Sequence, residues 1–105
     1  MVKIHGNYCG PNWTGGKKLS AEDFIAQGHT WIRPIDWLDR LCMDHDRSCG
    51  EAKELGCSKK ADQALLDGIS KWYRNPFNPI FHPIQNVKAQ AVREGISIAQ
   101  PWRKH

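Results

Sequence analysis

A chain of 105 residues, 40% hydrophobic and 25% charged, describes one small soluble domain (residues 1–105) with no room for a second. No run of about 18 apolar residues is present to span a membrane, and the opening Met1-Val-Lys-Ile-His5 lacks the apolar core of a signal peptide, so the chain reads as cytosolic or as the mature part of something longer. A formal charge of +4 beside five tryptophans suits docking to an anionic membrane surface or, less specifically, to nucleic acid.

In chain order, residues 1–33 are rich in Gly, Asn, Thr and Lys. They contain a glycine-rich loop, Tyr8-Cys-Gly-Pro-Asn-Trp-Thr-Gly-Gly16, and one short helix candidate, Ser20–Gln27, with Ser20 and Asp23 as a capping box and Gly28 as its stop. Pro34 suits the first turn of a helix running to about Cys49, with Gly50 able to close it. Its apolar stripe is Ile35, Leu38, Cys42, His45 and Cys49, which turns His45 inward, while Asp46 points about 100° further round. A second helix, about 58–74, opens at the N-cap candidate Ser58 and carries Asp62, Leu65, Leu66, Ile69 and Trp72 or Tyr73 on one face. The proline-rich stretch Asn75–Pro83 breaks it. A last helix, about 85–100, reads as amphipathic through Ile84, Val87, Ala91 and Ile98, with Gly95 as a weak point, and Trp102-Arg-Lys-His105 as a solvated tail. The pattern is mainly α, with no repeats and no convincing strand pairs.

If the two central helices are antiparallel across the connection 50–57, inward-facing His45 meets inward-facing Asp62. A neutral imidazole can take a proton from water on one nitrogen while a carboxylate on the other fixes the tautomer and steadies the imidazolium. Asp46 is free to serve a hard cation that wants oxygen ligands, and carbonyls of the loop Tyr8–Gly16 could join it, with Gly10 permitting close backbone approach. A His-Asp pair on a helix is an ordinary feature by itself; the loop, the spacing and Asp62 single this one out. Asp67 competes with Asp62, whereas Asp36 and Asp39 fit structural roles at the helix start or the loop. His5, His29, His82 and His105 have no partner in any recognisable spacing.

Tyr8-Cys-Gly-Pro-Asn12 and Asp39-Arg-Leu-Cys-Met-Asp-His-Asp46 resemble, in order and spacing, the calcium loop (Y/W-C-G-x-G) and active helix (D-x-C-C-x-x-H-D) of the secreted phospholipase A2 superfamily. Ala61-Asp-Gln-Ala-Leu-Leu-Asp67 is similar to a segment of the domain's compact parvovirus-capsid version, and the likeness spans about residues 7–67. It implies a phospholipase A2-like fold, with a calcium loop at about 7–16 and paired, disulfide-linked helices. It also implies His45 as general base, Asp62 as the residue that orients it, and Ca²⁺ held by Asp46 and the carbonyls of Tyr8, Gly10 and Asn12. The Gly10 N–H would then stabilise the oxyanion of a water attack on the sn-2 ester of a glycerophospholipid.

Departures from that pattern come in pairs. Leu41 and Gly68 stand where the family has one cysteine pair, and Ser48 and Ala61 where it has another. Of the three pairings four cysteines allow, the resemblance then favours Cys9–Cys42 with Cys49–Cys57 as a local staple. Asn12 replaces a loop glycine but tolerates positive φ, and Cys49 replaces a tyrosine that bonds the orienting aspartate, with no substitute hydroxyl in view.

The partner so implied is a phospholipid membrane surface, with no nucleic acid expected, and the setting secreted or virion-associated. Trp13, Trp31, Trp72, Phe77, Phe81 and Trp102, near Lys17, Lys18, Lys71 and Arg74, are rim candidates that fit a core equally well. Two other functions are consistent with parts of the chain: a catalytically silent relative that binds or damages membranes, and a small zinc module using Cys42, His45 and Cys49 with Cys9 or Cys57.

Overall fold

A computed structural model describes residues 3–105, so the stretch read for a signal peptide lies partly outside the described residues. Among the described residues five α-helices form: α1 Ala21–Ala26, α2 Trp37–Glu51, α3 Lys59–Tyr73, α4 Phe77–Phe81 and α5 Pro83–Ala99. Single 3₁₀ turns follow α2 and α5, and no strand forms among the described residues beyond two isolated bridges, His5 to Cys9 and Thr14 to Lys17. The mainly helical reading therefore holds.

The capping residues set the starts. Ser20 accepts from the Asp23 N–H at α1 and Ser58 from the Ala61 N–H at α3, as their sequence positions indicate. At α2 the expected start at Pro34 is corrected to Trp37, because the Asp36 carboxylate accepts from the Asp39 N–H and takes the cap. Ile35 consequently lies ahead of the helix and is 63% exposed rather than on its buried stripe. Gly50 does not end α2 either. It lies inside the helix where α1 crosses, and a Cβ there would sit 2.6 Å from Ile25 Cδ1 and 2.9 Å from the Ala21 carbonyl oxygen.

Helices α2 and α3 run antiparallel, as three contacts in reverse register require. Trp37 stacks on Trp72, Leu41 packs over Gly68, where a Cβ would meet it at 2.6 Å, and His45 bonds Asp62. The large-for-small pair Leu41 and Gly68 thus fills one position where the resemblance predicts a lost bridge. Both remaining bridges form as expected, Cys9–Cys42 and Cys49–Cys57. The core gathers Tyr8, Leu38, Leu65, Ile69, Ala89 and Val92 around Cys9 and Cys42.

The C-terminal third departs most from expectation. The Asn75–Pro83 stretch holds the short α4, and Pro83 occupies the first turn of α5, where its missing N–H costs nothing. The buried face of α5 is Ala89 and Val92 with Ile96 beside them, whereas Ile84, Val87, Ala91 and Ile98 all face outward. Small Ala89 permits close packing on the core, and the bulkier row is left on the opposite side. The tail is mostly exposed, as expected, but it is tethered rather than frayed: the His105 carbonyl accepts from the Lys59 N–H at 2.6 Å, and His105 Nε2 donates to the Gly56 carbonyl at 2.9 Å. An otherwise unpaired first-turn N–H of α3 is satisfied in this way.

Candidate active site

The loop ahead of α1 is tied to α2 by one carboxylate. Asp39, fully buried, accepts from the backbone N–H groups of Asn7, Tyr8 and Ile35 at 2.8–3.1 Å. Gly6, at φ +58°, passes so close that a Cβ would lie 2.5 Å from Asp39 Cγ. Tyr8 is buried with its hydroxyl donating to the Ile32 carbonyl, and Cys9–Cys42 pins the next residue to α2. Asp39 and Asp36 are therefore structural, as their positions suggested. Asn12 adopts φ +51°, the left-handed conformation that its place in the loop demands.

On the other side of α2, His45 Nε2 donates to Asp62 Oδ1 at 2.6 Å. In that tautomer Nδ1 keeps its lone pair; the Cys49 sulfur 3.6 Å from it is in a disulfide and has no proton to give. Burial holds the imidazole pKa below its ordinary 6.5, partly offset by the hydrogen bond and charge of Asp62, with Arg103 pushing it down further. Asp62 is completely buried, while Asp67 is exposed and bonded to Gln63, which decides between the two carboxylates.

Asp62 has a second partner that the sequence did not reveal. Arg103 reaches back from the tail and clamps the carboxylate, Nε to Oδ2 at 2.7 Å and Nη2 to Oδ1 at 3.1 Å. Only the docking of residues 100–105 onto the start of α3 brings it there, and no local spacing signals that contact. His5 was missed for the same reason. It is buried and bonded to Asp36 at 2.7 Å, a pairing between residues far apart in the chain.

His45 and Asp46 line one cavity of about 450 Å³ together with Tyr8, Gly10 and Asn12. Leu65, Val92, Ile96 and Ala99 supply an apolar wall, and Arg103 also borders the space. Asp46 is half-buried as a residue, but its Oδ2 is sealed from solvent and has no hydrogen-bond partner among the described residues. Burial, and secondarily the charge of Asp39, pushes its pKa up to about 9. Among the described residues, the carbonyls of Tyr8, Gly10 and Asn12 accept no hydrogen bond, and the Gly10 N–H donates none. Asp46 and the loop residues Tyr8, Gly10 and Asn12 line the same cavity, and carboxylate and carbonyl oxygens are the ligand types that a hard cation such as Ca²⁺ takes.

The side chain of His45 and the sulfurs of Cys49 and Cys57 also lie within 4.8 Å of one another, a group that could hold a metal. Both sulfurs are joined to each other, so they become ligands only if that bridge opens. Of the rim candidates, Phe77, Phe81 and Trp102 are exposed at 61%, 70% and 84%. Of the others, Trp31 packs on Tyr8 and Phe24 and Trp72 on Trp37, while Trp13 donates to the Gly6 carbonyl and borders the cavity.

Comparison with family models, curated proteins and solved structures finds no match for this chain.

Proposed function

We propose that the chain is a calcium-dependent ester hydrolase. Within that class the reading is narrower: a phospholipase A2 that cleaves the sn-2 ester of glycerophospholipids at a membrane surface. The observation that carries it is the meeting, in one cavity, of an imidazole oriented by Asp62 and the Asp46 side chain, one oxygen of which has no hydrogen-bond partner among the described residues.

His45 Nδ1 takes a proton from water, whose oxygen attacks the ester carbonyl carbon. Asp62 holds the ring and the charge it gains. The Gly10 N–H donates to the carbonyl oxygen as it becomes negative. Collapse breaks the bond to the glycerol oxygen, which recovers the proton from His45 and leaves as lysophospholipid beside a free fatty acid. Asp46 with the carbonyls of Tyr8, Gly10 and Asn12 would hold Ca²⁺, which supplies positive charge for the ester oxygen and the substrate phosphate. The wall of Leu65, Val92, Ile96 and Ala99 suits an acyl chain.

The membrane side of the reading draws support from the outward row Ile84, Val87 and Ile98 on α5 and from exposed Phe77, Phe81 and Trp102 on the segments before and after it. With a formal charge of +4, such a surface favours anionic lipid. Among the described residues no helix is long and apolar enough to cross a membrane, and the disulfides are consistent with an extracellular or virion-associated setting. The test is fatty-acid release from mixed phospholipid vesicles, with Ca²⁺ and with excess EGTA, for wild type beside His45→Ala. Calcium-dependent release lost in the variant supports the reading, and a folded wild type that releases nothing at millimolar Ca²⁺ removes it.

A further inference from the structure

We infer that Arg103 is a positioning residue for His45, acting through Asp62, and that the docked segment 100–105 is consequently a working part of the site. The inference rests on the hydrolase reading for its kinetic consequence, but its geometric content stands apart from it.

A fully buried carboxylate needs charge-compensating partners on both oxygens. His45 provides one donor, to Oδ1 alone. Without Arg103, Oδ2 would have no partner, and the carboxyl group could turn about its own bond and take the imidazole with it. The guanidinium removes that freedom: its planar fork meets both oxygens and fixes the plane of the carboxylate. A lysine would supply the charge without the plane.

The segment carrying Arg103 is itself held. The His105 carbonyl and ring bond Lys59 and Gly56, and Gln100 Nε2 donates to the Lys59 carbonyl at 3.1 Å. Those anchors lie on the first turn of α3 or just ahead of it, within a turn or two of Asp62. The side chain is 23% exposed at the cavity edge while the carboxylate it grips is sealed. The guanidinium thus reaches the carboxylate from the cavity edge.

The experiment compares Arg103→Gln, Arg103→Lys, Asp62→Asn and the double variant Asp62→Asn/Arg103→Gln in vesicle hydrolysis, with Ca²⁺ binding followed by calorimetry and folding by circular dichroism. Arg103→Gln should lower kcat by about 10- to 100-fold, the usual cost of losing a group that orients a functional imidazole, with KM and Ca²⁺ affinity unchanged. Arg103→Lys should recover only part of that loss, low millimolar guanidinium should partly rescue Arg103→Gln, and the double variant should be no slower than Asp62→Asn. Wild-type kcat in Arg103→Gln, an effect on KM alone, or losses that multiply in the double variant would each overturn the proposal. If Arg103→Gln does not fold, Arg103→Lys carries the same comparison. Nitrogen-15 shifts of His45 at fixed pH separate this proposal from the hydrolase reading: wild type should show a single Nε2–H tautomer and Arg103→Gln a mixture, whether or not lipid is cleaved. An unchanged tautomer in Arg103→Gln would sink the proposal even in an active enzyme.

Discussion

Asp39 and Asp46 lie about two turns apart on α2 and are opposites: three backbone N–H groups saturate the Asp39 carboxylate, whereas Asp46 keeps a sealed oxygen with no partner. The first is spent on structure, and the second is available for a cation. Asp46 carries a proton at neutral pH, since burial raises its pKa from 3.8 to about 9. A cation must displace that proton, so Ca²⁺ affinity should rise with pH up to about 9 and binding should release a proton, measurable by calorimetry in buffers of different ionisation enthalpy. A raised folded-state pKa gives stability that is complete below about 4 and lost as pH rises through about 9. Asp46→Asn should therefore stabilise the calcium-free protein at pH 8 while reducing hydrolysis by about 100-fold or more through loss of the ion. Ca²⁺ affinity that does not change with pH would contradict this account.

Asp39→Ala should behave in the opposite sense. It strands the N–H groups of Asn7, Tyr8 and Ile35 in the interior and should cost roughly 3 to 5 kcal/mol in urea unfolding. Ca²⁺ binding should weaken as well, because the carbonyls of Tyr8, Gly10 and Asn12 lose their anchor. A variant of full stability with altered calcium binding would mean that Asp39 is a ligand, not an anchor.

The two bridges should differ in weight. Cys9–Cys42 closes a separation of 33 residues and Cys49–Cys57 one of 8, so loop-closure entropy predicts losses of about 4 and about 2.5 kcal/mol when each pair is replaced by serine. Removing the first should also release the loop and abolish Ca²⁺ binding, while removing the second should leave it. Zinc provides a further check. Oxidised protein should take up none, whereas treatment with a dithiol should allow up to one equivalent at His45, Cys49 and Cys57. One equivalent on the oxidised protein would mean that groups other than these thiolates hold the metal.

The parts of the site that are legible in the sequence are those written locally. The period of α2 turned His45 inward, the cap residues Ser20 and Ser58 marked helix starts, and the coupled pair Leu41 and Gly68 meets in space. Helix α5 was misread because both of its faces carry apolar residues at helical spacing. The bulkier row, Ile84, Val87 and Ile98, looks more like a core than Ala89 and Val92, yet the small residues are the ones buried. Arg103 and His5 find their partners only through tertiary docking, which leaves no mark at any fixed spacing. The missing hydroxyl near Asp62 was legible; the arginine that bonds the carboxylate in its place was not.

Two titrations should govern hydrolysis, and calcium concentration should separate them. His45 must be neutral to accept a proton, and burial holds its pKa below 6.5, so at saturating Ca²⁺ the rate should be half-maximal at a pH below 6.5. The sign follows from the depressed value: the neutral ring, and its contribution to stability, are complete above 6.5 and lost as pH falls through the folded-state pKa. At limiting Ca²⁺ the proton on Asp46 competes with the ion, and the acidic limb should move toward about 9. Rate profiles at two Ca²⁺ concentrations differing by about 100-fold would show the shift. A limb that stays fixed while Ca²⁺ changes would mean that Asp46 does not give up its proton to a metal, and the oxygen-ligand site would have to be abandoned.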